Sequence, residues 1–194
     1  MSFYKIARGL LKGIFKILYR IEVEGIENIP ARGRTIICAN HISNLDPIVL
    51  AITCPRTISF MAKKELFSNK VLARLLYALN AFPVDREGSD ISAIRKSLEV
   101  LKNDKALGIF PEGTRISKID INSAKPGISM IGIRSKSPIV PVFIDSDYKL
   151  FDKIKIKVGQ PIYLDNYHGK KLKTEDYKDI SISILESIYS LKID

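Results

Sequence analysis

The run Thr35-Ile36-Ile37-Cys38-Ala39-Asn40-His41-Ile42-Ser43-Asn44-Leu45-Asp46-Pro47 decides how the chain folds. Thr35 to Ala39 is short, apolar and rich in β-branched residues, which predicts a buried strand. Asn40-His41 ends it. Asp46-Pro47 reads as a helix start, with Asp46 as N-cap and Pro47 at the first helical position. His41 therefore belongs on a loop at the carboxyl end of a strand, with Asp46 at the mouth of the next helix. A tight loop can fold the two together, so that the carboxylate fixes the imidazole tautomer and stabilises the imidazolium. A helix cap that merely follows a loop histidine uses the same residues, and the spacing alone leaves both readings open.

Working outward, apolar strands alternate with helices. Strands are predicted at 21–24, 57–61, 81–84, 106–110, 139–144, 154–158 and 162–164. Helices are predicted from Pro47 and at 69–79, 90–102, 126–136 and 174–191, the last capped by Thr174. This order predicts a single α/β domain with a largely parallel central sheet flanked by helices. Ligands of such sheets gather beyond the carboxyl ends of the strands. Asn40-His41, Asp85-Arg86 and Glu112-Gly113-Thr114-Arg115 all follow strands. A parallel sheet brings these clusters to one edge.

Their chemistry suits an anionic ligand. Arg86 and Arg115 can grip phosphate with two parallel hydrogen bonds each. Gly113 lets backbone N–H groups approach an anion, and Glu112 can order the arginines or accept a substrate hydroxyl. Each arginine taken singly reads equally well as half of a surface ion pair.

Residues 3–20 form a separate element. Lys5, Arg8, Lys12, Lys16 and Arg20 recur at steps of three and four, and most of the remainder is Ile, Leu, Phe, Tyr or Ala. This is an amphipathic helix with too many charges to span a bilayer. It can lie in a membrane interface with its cations against anionic headgroups, or pack its apolar face on the domain's own core. The boundary falls at residue 20, with residues 21–194 forming the domain proper.

With 194 residues, 46% hydrophobic and 27% charged, the chain can bury a sizeable core. Its net charge of +10 calls for a polyanionic partner: membrane, phosphorylated substrate or nucleic acid. Nucleic acid is disfavoured, because no binding motif or aromatic platform accompanies the basic residues. Cys38 and Cys54 read as reduced, buried thiols in a cytosolic setting, and no residue cluster has metal-ligand spacing.

Four ordered blocks carry a resemblance. They are Asn40-His41-Ile42-Ser43-Asn44-Leu45-Asp46-Pro47, Phe82-Pro83-Val84-Asp85-Arg86, Phe110-Pro111-Glu112-Gly113-Thr114-Arg115 and Ile139-Val140-Pro141-Val142. Together with Ala62-Lys63-Lys64-Glu65-Leu66 and Lys125-Pro126-Gly127, they resemble the glycerolipid acyltransferase family over residues 21 to 165. The resemblance is nearest to the bacterial branch that acylates 1-acylglycerol 3-phosphate.

It implies a glycerol-3-phosphate acyltransferase-like fold. It also implies transfer of a fatty acyl chain from an acyl carrier protein or coenzyme A thioester to the free sn-2 hydroxyl of a lysophosphatidate, giving phosphatidate. His41 would be the general base and Asp46 its orienter, with no acyl-enzyme. Arg86, Glu112, Gly113, Thr114 and Arg115 would hold the glycerol phosphate, with Lys63 as an assisting point charge. No cofactor beyond the thioester co-substrate is implied, and the working place would be the cytoplasmic face of a membrane, peripherally bound. Two alternatives stay open. One is an acyltransferase for glycerol 3-phosphate or another lysophospholipid. The other is a non-catalytic basic module that binds anionic lipid.

Overall fold

The computed structural model describes residues 3–84 and 91–192. The expected helix over residues 3–20 forms as α1 (Phe3–Leu18), and the chain runs from it into β1 (Arg20–Glu24). The deciding stretch becomes β2 (Thr35–Ala39) and α2 (Asp46–Thr53), followed by β3 (Ile58–Lys63), α3 (Lys70–Ala78) and β4 (Ala81–Val84). Then come α4 (Ile91–Lys102), β5 (Ala106–Ile109), α5 (Gly127–Ser135), β6 (Ile139–Asp145), β7 (Lys153–Val158) and α6 (Thr174–Tyr189).

The strands form one seven-stranded sheet in the order β1-β7-β6-β2-β5-β3-β4. Strands β6, β2, β5, β3 and β4 are mutually parallel, while β7 runs antiparallel to β6 and β1 parallel to β7. A sheet buried on both faces needs continuous apolar strands, and β2 is buried at every position. Successive β2 side chains alternate between two cores. Ile37 and Ala39 face the side covered by α1 and α2, and Ile36 and Cys38 face the side covered by α4, α5 and α6.

At the end of β2 the backbone leaves the ladder, and Asn40 replaces it with its side chain. Its carboxamide donates to the Ile144 carbonyl at 2.9 Å and accepts from the Ile144 N–H at 2.7 Å. The carboxamide thus pairs as a strand residue would, and His41 is free to turn. At the opposite edge Arg56 donates to the carbonyls of Pro30, Gly33 and Asp104 and to Thr35 Oγ1.

Several expectations need correction. Asp46 is not an N-cap: it is the first residue of α2, Leu45 holds the cap position, and the Asp46 carboxylate turns back to the preceding loop. Thr174 likewise begins α6 while Lys173 is its cap residue, its N–H donating to the Asp176 carboxylate at 2.7 Å. No strand forms over residues 162–164. Pro161 withholds a donor, and Ile162 makes one antiparallel bridge to Ile139 before the chain turns into a short 3-10 helix.

Helix α1 has three faces where two were expected. Tyr4, Leu11, Phe15 and Leu18 pack inward, and Lys5, Lys12 and Lys16 form a basic stripe. Ile6, Leu10, Ile14 and Ile17 face outward, with Leu10 66% and Ile17 74% exposed. Arg8 leaves the stripe to donate to the Cys54 carbonyl at the end of α2, and Arg20 belongs to β1. Helix α3, which packs beside α1, also leaves Val71 and Leu75 exposed. Among the described residues no helix is long and apolar enough to cross a membrane.

Candidate active site

Parallel strands deliver two of the three predicted clusters to one edge, those of His41 and of Glu112 to Arg115. His41 follows β2, Lys63 ends β3 and Glu112 to Arg115 follow β5, all at the carboxyl ends of neighbouring strands. Strand β4 ends at the same edge at Val84. Arg86 lies outside the described residues, as does the Asp90 start expected for α4.

The loop after β2 folds His41 onto Asp46. Nδ1 of His41 is 2.8 Å from Oδ2 of Asp46, whose side chain is fully buried. The same oxygen accepts the backbone N–H groups of Ile42 and Ser43, each at 2.7 Å. Three donors on one oxygen hold the carboxylate at the start of α2, where the helix dipole also favours a negative charge. With Nδ1 directed at a carboxylate, the neutral ring carries its proton there, which leaves the Nε2 lone pair free. Nε2 has no hydrogen-bond partner among the described residues, and the side chain is 14% exposed.

The other oxygen of Asp46 has a partner that the sequence did not indicate. Tyr148 Oη donates to Oδ1 at 2.6 Å, across 102 positions of sequence. Burial, followed by the charge of Asp46, pushes the Tyr148 phenol well above its usual range, so it remains a donor. No local pattern around Tyr148 announces this role. Its positive φ of 54° becomes visible only in the fold.

The imidazole lies on an aromatic support. It stacks on Phe110 at a centroid distance of 4.2 Å and an interplanar angle of 20°. Phe110 stacks in turn on Phe60 at 6.3 Å and 15°. The His41 carbonyl accepts from the Ile116 N–H at 2.8 Å, which ties the loop after β2 to the loop after β5.

In that second loop the predicted residues separate. Thr114 and Arg115 are exposed, and Arg115 makes no ion pair among the described residues, so its guanidinium is available to a ligand. Gly113 has a φ of 72°, which favours glycine, but its own N–H donates to the Phe110 carbonyl at 3.0 Å and so builds the turn. Glu112 does not face the opening. It is 1% exposed, and Oε1 accepts from Tyr189 Oη of α6 at 2.9 Å, while Oε2 has no hydrogen-bond partner among the described residues. Burial raises its pKa above the usual carboxylate value. A carboxyl in that position supports the loop from beneath. Lys63 is exposed at its strand end.

Cys38 lies under the site but is fully buried, and burial pushes its thiol well up, so it is no nucleophile. Among the described residues no group of His, Cys, Asp and Glu side chains could hold a metal ion. A cavity of about 300 Å³ adjoins the site between Asn40, Ile116 and Tyr189. Another of about 240 Å³, beside Ser59 and Asn80, opens at the far edge of the sheet, remote from this chemistry.

Comparison with other proteins identifies the family. The family model described as Acyltransferase matches residues 20–145. The chain is similar to the 1-acyl-sn-glycerol-3-phosphate acyltransferase of Bacillus subtilis, at 37% identity over 166 residues, covering 82% of each chain. It is 31% identical over 188 residues to the enzyme of the same name from Streptococcus pneumoniae, covering 92% of this chain and 69% of that one. Among solved structures it resembles the 1-acyl-sn-glycerophosphate (LPA) acyltransferase PlsC from Thermotoga maritima. There the TM-score is 0.72 at 26% identity, with 98% of this chain and 81% of that one covered. A histidine–aspartate pair on the loop after a central parallel strand, within a match of this extent, places the chain in the acyltransferase family.

Proposed function

We propose that this chain is a 1-acyl-sn-glycerol-3-phosphate acyltransferase that uses His41 as general base and Asp46 as its orienter. The single observation that carries the mechanism is the 2.8 Å contact from His41 Nδ1 to a fully buried, hydrogen-bonded carboxylate, which leaves Nε2 free. An imidazole in that state accepts the proton of the sn-2 hydroxyl as the hydroxyl oxygen attacks the thioester carbonyl. The tetrahedral intermediate then collapses, the C–S bond breaks, and the departing thiolate takes up the proton from Nε2. Ester and free thiol are the products, and His41 returns to its starting state. The buried thiol of Cys38 supports direct transfer without an acyl-enzyme.

Arg115, Thr114 and Lys63, exposed at the same edge, and Arg86 beyond β4 are the proposed phosphate grip, with Gly113 shaping the turn beneath it. Glu112 supports that turn rather than touching the substrate. The acyl donor is proposed to be an acyl carrier protein or coenzyme A thioester, with no other cofactor.

The proposed working place is the surface of an anionic membrane, on its cytoplasmic face. Its support is the outward stripe Ile6, Leu10, Ile14 and Ile17 beside Lys5, Lys12 and Lys16. An apolar strip next to a basic one suits shallow insertion between acyl chains and headgroups, where a lysophosphatidate resides.

The test is acyl transfer on liposomes with labelled lysophosphatidate and both donor classes, comparing wild type with His41→Ala and Asp46→Asn. Loss of the base should lower the rate about 10²–10⁴-fold. Full activity in both variants would end the mechanism. Glycerol 3-phosphate as competing acceptor tests the acceptor assignment in the same assay.

A further inference from the structure

The dyad has a third member. We propose that Tyr148 is a positioning residue for acyl transfer, which sets the proton affinity of His41 through its hydrogen bond to Asp46. The inference rests on the reading of His41 as general base.

Asp46 is 0% exposed, and its donors are divided unequally. Oδ2 takes His41 and two backbone N–H groups, whereas among the described residues Oδ1 has Tyr148 alone, at 2.6 Å. A short bond from a phenol withdraws negative charge from the carboxylate that faces the imidazole. The more charge Asp46 keeps, the more it stabilises the imidazolium and the more basic His41 becomes. One phenol therefore tunes the base at one remove.

The fold holds that phenol in place at some conformational cost. Tyr148 adopts a φ of 54°, a left-handed conformation that a bulky side chain rarely takes. Its N–H donates to Ser146 Oγ at 2.9 Å, and its ring meets Tyr19 edge-on at 6.2 Å and 85°. The Phe151 N–H donates to the Leu18 carbonyl at 2.7 Å, and the Arg20 N–H to the Asp152 carbonyl at 3.0 Å. The loop that carries Tyr148 is thus fastened to the end of α1. The titratable groups facing the dyad are Tyr148 and Tyr19 on this side and Glu112 from the loop after β5.

The experiment uses the full chain and its two histidines, His41 and His168. Nuclear magnetic resonance follows the titration of both imidazoles in wild type, Tyr148→Phe and a chain with 3-fluorotyrosine at position 148. Phenylalanine keeps the edge contact with Tyr19 but removes the donor. The His41 midpoint should rise by roughly half a pH unit or more, and the acid limb of kcat/KM should move with it. Fluorotyrosine is a stronger donor and should shift both in the opposite direction. His168, which pairs with Asp165 in the segment after β7, should stay fixed. An unchanged His41 midpoint in both variants overturns the proposal, as does a loss of rate in Tyr148→Phe with the pH profile unmoved. If His41→Ala retains full acyl transfer, the general-base reading falls, and the imidazole titration still reports whether Tyr148 tunes His41.

Discussion

The ring of Phe60 lies so close over Gly108 that a Cβ on this residue would sit 2.3 Å from the ring edge. Phe60 stacks on Phe110 and Phe110 on His41, so the missing side chain at 108 sets the height of the imidazole. Gly108→Ala should displace the stack, costing about 1–3 kcal/mol of stability and lowering kcat more than KM is raised. Urea melts and steady-state kinetics check this. A variant with unchanged kcat would show that the stack is packing alone.

Glu112 predicts a pH-dependent stability. Its folded pKa is raised by burial above the unfolded value, so the folded chain holds a proton that the unfolded chain releases. This contribution is fully present below the unfolded pKa, near 4.5. It is lost as pH rises through the folded one, since stability falls wherever the native state binds more protons. Glu112→Gln keeps an acceptor for Tyr189 and cannot ionise. It should be at least as stable as wild type at pH 8, with the gap closing toward pH 4 (denaturant midpoints across pH). A gap that widens on acidification contradicts the assignment.

The faces of α1 separate folding from membrane attachment. Leu10→Gln with Ile17→Gln alters exposed positions and should leave the melting temperature nearly unchanged while weakening sedimentation with anionic liposomes. Phe15→Ala removes a buried ring and should cost about 3–5 kcal/mol. Undiminished liposome binding by the double variant would assign the outward stripe another role. Removing α1 altogether cannot make this distinction, because Tyr4 and Phe15 would leave the core with it.

Arg56 should matter to stability and not to chemistry. Its guanidinium joins the segment before β2 to the turn before β5, at the edge of the sheet opposite His41. Arg56→Ala leaves several carbonyls without their charged donor. The expected cost is about 2–4 kcal/mol, with kcat per folded molecule unchanged. Thermal melts beside an activity titration decide it.

Much of this architecture was legible because it rests on local pattern. Thr35 to Ala39 is continuously apolar because both faces of β2 are covered, and the polar clusters that follow apolar runs mark strand ends. His41 and Asp46 were readable as a pair because five residues of loop and helix start suffice to join them. Tyr148 and Tyr189 were not, since each reaches its carboxylate across a long stretch of chain with no periodic signal. Asp46 misled as a cap because the residue type that suits a helix N-terminus also suits an imidazole, and here the loop and the ring claimed it. Glu112, expected to hold the glycerol phosphate, is buried against Tyr189 of α6, and nothing local in its polar run signals that partner.

The place of β1 in the sheet has a consequence for synthesis. Among the described residues it pairs only with β7, about 130 residues further along. At ribosomal speeds of roughly 5–20 residues per second, β1 waits on the order of ten seconds for its partner to emerge. The strand made first therefore completes its ladder last. Throughout that interval the outward stripe of α1 is presented by a nascent chain whose sheet is still open, so contact with lipid can precede closure of the fold.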